Sequence, residues 1–148
     1  MKAMSSIFWF SLAALLGVCD PERVSAATVT NVPSVAYVRP FQLVFYRTNA
    51  SPEVARLAEK FSSDYGLQKA QPLSDNPACC IWVEVKPIFS KPGVAYYSVQ
   101  IIKDGSGMVI ASSPKLLEQA VERLKKASHN DEAGQPVVPV GKFSYYGE

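Results

Sequence analysis

The chain predicts an α+β domain: a small mixed or antiparallel sheet of about four strands with two helices packed on one face. Three observations predict it. Apolar residues alternate with period two in residues 41–47, 80–85 and 95–102, as a half-buried strand requires. Two stretches open with Ser-Pro and then carry apolar side chains at helical spacing. The order is strand, helix, strand, strand, strand, helix, and a run of strands between two helices favours both helices on the same sheet face.

The first strand is residues 41–47, where Phe41, Leu43 and Phe45 alternate with Gln42, Val44 and Tyr46. Residues 48–50 break it. Ser51 is a helix cap and Pro52 suits the first helical position, after which Val54, Leu57, Ala58, Phe61 and Tyr65 recur until Gly66. Asn49 heads a formal Asn-Ala-Ser glycosylation acceptor, but the following Pro52 favours reading it as a turn residue. Residues 68–78 are polar and punctuated by proline, the composition of a loop or an irregular edge strand. Residues 80–85 follow as a strand, with Ile81, Val83 and Val85 on one face and Trp82 and Glu84 on the other.

Residues 95–127 hold the strongest signal in the chain. Tyr97, Val99 and Ile101 alternate with Tyr96, Ser98, Gln100 and Ile102. Asp104, Gly105, Ser106 and Gly107 tolerate the backbone of a tight reversal into Met108, Val109 and Ile110, so this is a hairpin. Ser113 and Pro114 then start a second helix with Leu116, Leu117, Ala120, Val121 and Leu124 on one face. Each larger side chain on that stripe gains about 1.5–3 kcal/mol on burial, so the helix must lie on the hairpin. Residues 128–148 change character, first a polar linker and then an apolar tail that either folds back or meets a partner surface.

The amino terminus carries an address. Lys2 precedes an apolar run over residues 7–18, and Val24 to Ala27 offers small residues for cleavage, the pattern of a secretory signal over residues 1–26. The run is shorter than the roughly 20 residues that span a bilayer, so no transmembrane segment is expected after cleavage. Cys19 in Leu-Gly-Val-Cys offers a lipoprotein alternative. Residues 27–40 are then an extended lead-in and residues 41–127 the domain proper, in a secreted or periplasmic protein. Cleavage removes Lys2 and Arg23 together with Asp20 and Glu22, so the net charge stays at +2, too small for a nucleic-acid footprint.

Cys79 and Cys80 are the cysteines left in the mature chain, and they are neighbours. Adjacent α-carbons lie about 3.8 Å apart, under the roughly 4.4–6.8 Å of ordinary disulfides. In a strand their side chains point to opposite faces. Two packed thiols, a strained vicinal disulfide and an intermolecular bridge all stay open.

No catalytic constellation, cofactor cradle or metal set emerges. His129, the lone histidine, sits in the polar linker, and Glu84 and Asp104 read as a strand-face acid and a turn acid. Gly105, Ser106 and Gly107 form a turn and not a phosphate loop. The aromatics Trp82, Tyr96, Tyr145 and Tyr146 remain as candidate glycan or partner contacts, because a flat apolar ring with a polar tip suits a sugar face. For Trp82 and Tyr96 the competing reading is packing under the helices or across strands.

The order of elements, with Tyr97, Val99, Ile101, Ile110, Ala111, Leu116, Ala120 and Leu124, resembles the small non-catalytic domain that precedes the barrel in beta-N-acetylhexosaminidases and alpha-glucuronidases. The tail from Pro139 to Gly147 looks like the stretch leading into the hexosaminidase barrel, with Tyr146 where that family has a sugar-holding arginine. The catalytic Asp-Glu pair of that family belongs to the barrel and maps to no residue here. Lys115 stands where the family often has glycine. The resemblance implies an exported, non-catalytic accessory domain in glycan processing, whose partner is a glycan or a catalytic barrel protein. Its alternatives are a subunit of a glycoside hydrolase with a separate barrel, and a stand-alone carbohydrate-binding envelope protein.

Overall fold

The computed structural model describes residues 35–87 and 91–147. The expected signal peptide and cleavage site, and Cys19, lie outside the described residues. In chain order the elements are β1 (Tyr37–Val38), β2 (Val44–Arg47), α1 (Pro52–Asp64), β3 (Gln71–Leu73), β4 (Ile81–Val85), β5 (Ala95–Ile101), β6 (Gly107–Ala111), α2 (Pro114–Ala127), β7 (His129–Asn130), β8 (Pro136–Pro139) and β9 (Gly141–Gly147).

Both helices begin as their residues dictate. Ser51 Oγ accepts from the Val54 N–H and Ser113 Oγ from the Leu116 N–H, each at 3.4 Å, with proline in the first turn where a missing N–H costs nothing. Helix α1 stops at Tyr65, and Gly66 follows with φ +64°, a left-handed conformation that glycine adopts without strain. The hairpin turn is built by Asp104, whose Oδ1 accepts from the Ser106 N–H at 2.9 Å and the Ser106 hydroxyl at 2.6 Å. Gly105 is required there twice over: its φ is +85°, and a Cβ would stand 2.1 Å from the Arg39 carbonyl oxygen.

The main sheet has six strands in the order β3-β2-β4-β6-β5-β9. It is mixed: β3, β2, β4 and β6 run parallel, while β5 is antiparallel to both β6 and β9. After β4 the chain lays β5 two places away and returns as β6 to fill the gap between them. The expected four strands are therefore corrected to six. Strand β3 realises the irregular-edge-strand alternative for residues 68–78: Gln71-Pro72-Leu73 lacks alternation, and proline is tolerated there because β3 is an edge. Strand β9 was hidden because its partner β5 is about 45 residues away, beyond any local pattern. A second sheet, β1-β8-β7, occupies what read as lead-in, linker and the start of the apolar tail. Its turn is set by Asp131 Oδ1, which accepts from the Ala133 and Gln135 N–H groups, and by Gly134 at φ +75°.

The core lies between one face of the main sheet and both helices. Val54, Leu57, Ala58 and Phe61 of α1 and Leu117, Ala120, Val121 and Leu124 of α2 meet Val44, Ile81, Val83, Tyr97, Val99, Ile101, Val109 and Ala111. The helix stripes and the alternation of β4 and β5 agree on one buried layer, whereas β2 is corrected: Val44 faces the core, and Phe45, expected on one apolar face with Phe41 and Leu43, lies on the opposite side beside Trp82. Lys115 is exposed, so it does not wedge α2 away from the sheet. Lys60 joins the two helices by donating to Asp64 (3.0 Å) and Glu122 (2.8 Å), and Lys125 adds a second cation to Asp64 at 3.2 Å.

The face opposite α1 and α2, helix-free among the described residues, carries rows fixed by register. Phe45, Trp82, Met108, Gln100 and Lys142 form one row. Glu84, Ile110, Ser98 and Ser144 form the next, and Tyr96 stands beside Tyr146. No helix among the described residues is long and apolar enough to cross a membrane.

Candidate functional site

The parallel half of the sheet directs the carboxyl ends of β2 and β4 toward the amino ends of the two helices. In open sheets with parallel strands, that edge is where clefts form, because loops diverge to either side. A cleft of about 650 Å³ is found there, lined by Arg47, Asn49, Ser51, Glu84, Lys86 and Pro114 among others. Four of these are placed by element boundaries: Arg47 ends β2, Ser51 caps α1, Lys86 follows β4 and Pro114 opens α2.

Glu84 anchors one wall. Its carboxylate accepts from Arg47 Nε through Oε1 and from the Trp82 indole N–H through Oε2 at 2.9 Å. The Arg47 guanidinium also lies over the Trp82 ring, 5.9 Å from its centre. Glu84 is 8% exposed and Trp82 1%, whereas the Arg47 side chain keeps 43% of its surface in solvent. A carboxylate with both oxygens engaged positions its neighbours. Two-acid glycoside hydrolysis needs a second carboxyl group about 5–10 Å away, and among the described residues lining this cleft Glu84 is the single acid. What the cleft offers a ligand is a set of donors: Arg47, Lys86, the Asn49 amide and the Ser51 hydroxyl.

The four aromatic candidates do not form one platform. Trp82 and Tyr96 are packed on the helix-free face, with the Tyr96 hydroxyl donating to the Lys86 carbonyl and burial, together with Glu84 and Tyr146, pushing that phenol above its ordinary pKa. Trp82 is packed across strands, not under the helices. Tyr145 and Tyr146 point to opposite faces of β9 and stay 43% and 61% exposed. Each is held by a strand neighbour: Tyr146 stacks on Tyr96 with ring centres 6.0 Å apart, and Tyr145 on Tyr97 at 5.5 Å. The Arg123 guanidinium donates to the Tyr97 hydroxyl at 2.9 Å and lies over the Phe143 ring, which fixes β9 to α2.

The cysteines occupy a second, smaller cleft of about 340 Å³ at the opposite end of β4. Both are free thiols, Cys79 exposed and Cys80 buried. The condition for neighbours to face opposite ways is not met, because neither cysteine is in β4: Cys79 has φ +59°, and both residues line the same cleft. Burial, and secondarily the nearness of Cys79, push the Cys80 thiol up. The Arg47–Glu84–Trp82 cluster and the kink at Cys79 were both missed from sequence. Alternation put Trp82 and Glu84 on one face, which was the available signal for the first; nothing in the sequence marks a left-handed cysteine.

No family model matches the chain, and no curated protein does. Among solved structures, the X-ray structure of a chitobiase from Flavobacterium johnsoniae is similar at 14% identity and a TM-score of 0.48, over 74% of this chain and 18% of that one. The chain thus spans less than a fifth of the length of that chitobiase, to which its likeness is distant.

Proposed function

We propose that this chain is an exported, non-catalytic accessory domain in glycan processing, related to the small domain that precedes the barrel in glycoside hydrolases, with β9 as its contact strand. The observation that carries the reading is the pair Tyr145 and Tyr146, exposed on the outermost strand yet each stacked on a packed tyrosine of β5. A preordered aromatic ring gives a sugar an apolar face at little entropic cost. Most of the packing residues behind the family resemblance support it: Tyr97, Val99, Ile101, Ala111, Ala120 and Leu124 are buried in the core and Leu116 packs against it, while Ile110 lies half-buried on the opposite sheet face. The amino-terminal apolar run behind Lys2 supports export.

The test uses the purified full chain with a chromogenic N-acetylglucosaminide and with immobilised chitooligosaccharides. Turnover is expected at the buffer rate, and retention on the glycan is expected to fall in Tyr146→Ala, whose melting stays unchanged. Turnover that follows the protein through repurification overturns the non-catalytic reading, and no retention of the wild-type chain overturns the glycan contact.

A further inference from the structure

The cleft that holds Cys79 and Cys80 is lined by three sulfur-bearing residues from two strand ends, the third being Met108. We propose that Cys79, Cys80 and Met108 form a binding site for a soft, low-coordinate monovalent cation of the copper(I) class. Cys80 lies just before β4, and its carbonyl accepts from the Gly107 N–H at 2.8 Å, which sets it diagonally beside Met108 on the helix-free face. Asn76 bridges the two: Cys80 Sγ donates to Asn76 Oδ1 at 3.5 Å, and Asn76 Nδ2 donates to Met108 Sδ at 3.6 Å. Cys79, Cys80, Asn76 and Met108 all line the one cleft of about 340 Å³.

The backbone supports a ligand role for Cys79. It is the sole residue other than glycine with positive φ among the described residues, and it is exposed there, without a packing reason for its side chain. Strain of this kind gathers at binding sites and switches. Its effect is to break the alternation that would send neighbouring thiols to opposite faces, so that both line one space.

The donor set selects the ion. Among the described residues no three His, Cys, Asp or Glu side chains converge, so the four nitrogen, sulfur or oxygen ligands of a zinc centre are not assembled there. Two thiolates with a thioether instead match a soft cation that accepts two or three ligands. On binding, each thiol sulfur forms a bond to the metal and releases its proton to solvent; the metal keeps its oxidation state, and Met108 adds a neutral sulfur lone pair.

The test is an anaerobic titration of the reduced full chain with copper(I) held by a chromophoric chelator, repeated with silver(I) as a redox-inert probe. The chain is expected to withdraw one equivalent of metal, with an ultraviolet thiolate-to-metal band. Cys79→Gly and Cys80→Ser are expected to lose at least about 100-fold in affinity, and Met108→Leu about tenfold. Cys79→Gly is the informative variant, because φ +59° suits glycine and the fold is expected to melt no lower while the site is lost. Wild-type binding by Cys79→Gly, or no withdrawal by the wild-type chain, overturns the proposal.

Discussion

The Trp82 indole N–H reaches two residues along its own strand to Glu84, at 2.9 Å, and the same carboxylate takes Arg47 from the neighbouring strand. One acid thereby satisfies a buried indole and neutralises a half-buried guanidinium. Glu84→Ala leaves the indole without a partner and the cation without its counter-charge. The expected loss is about 2–3 kcal/mol of folding free energy, read as a lower urea midpoint at unchanged slope. Glu84→Gln, which keeps an acceptor, is expected to lose less; equal midpoints for the two variants would count against this account.

Leu117 is fully buried between α2 and the sheet. Leu117→Asp places an unpaired carboxylate in that layer, and the domain is expected to unfold at room temperature, a loss of more than about 4 kcal/mol. Far-ultraviolet circular dichroism checks it. An unchanged spectrum and melt would sink the assignment of helices to that face.

Removing residues 137–148 takes away β8 and β9 together. Val138 is fully buried, Val137 nearly so, and β9 pairs with β5 over seven registers. The loss of apolar burial alone amounts to several kcal/mol, so melting is expected to fall by on the order of 10 °C or more. A truncated chain that melts with the full one would show that these strands are not part of the cooperative unit.

Acid should loosen the join between the helices. Burial acts to raise the Asp64 pKa, but hydrogen bonds from Lys60 and Lys125 outweigh it and hold the group below its ordinary 3.8. A carboxylate whose folded pKa is depressed contributes stability that is present above the unfolded value and lost as pH falls through the folded one. Urea midpoints are therefore expected to hold above pH 5 and to decline below about pH 4. In Asp64→Asn that decline should be shallower. The pairs are solvent-facing, so the effect is modest.

What could be read in advance follows how local each determinant is. Ser51 and Ser113 cap helices within four residues of themselves, and Asp104 builds its turn with Ser106, so both features are written in short windows. The buried stripe of α2 needed only its own periodicity. By contrast, the pairing of Tyr146 with Tyr96 spans 50 residues of chain, and the edge role of β3 depends on β2 being parallel to it. The left-handed backbone of Cys79, just before β4, is a conformation that the residue type itself disfavours, so no local pattern announces it.

The placement of β9 has a temporal side. Strand β5 carries Tyr97, Val99 and Ile101 into the core, yet one of its two hydrogen-bonding edges is filled only by residues 141–147. Until those residues pair, that edge of β5 is open to any extended segment nearby. Strand β9 therefore acts as a seal on that edge, and any change that frees it uncovers a ready template for strand pairing.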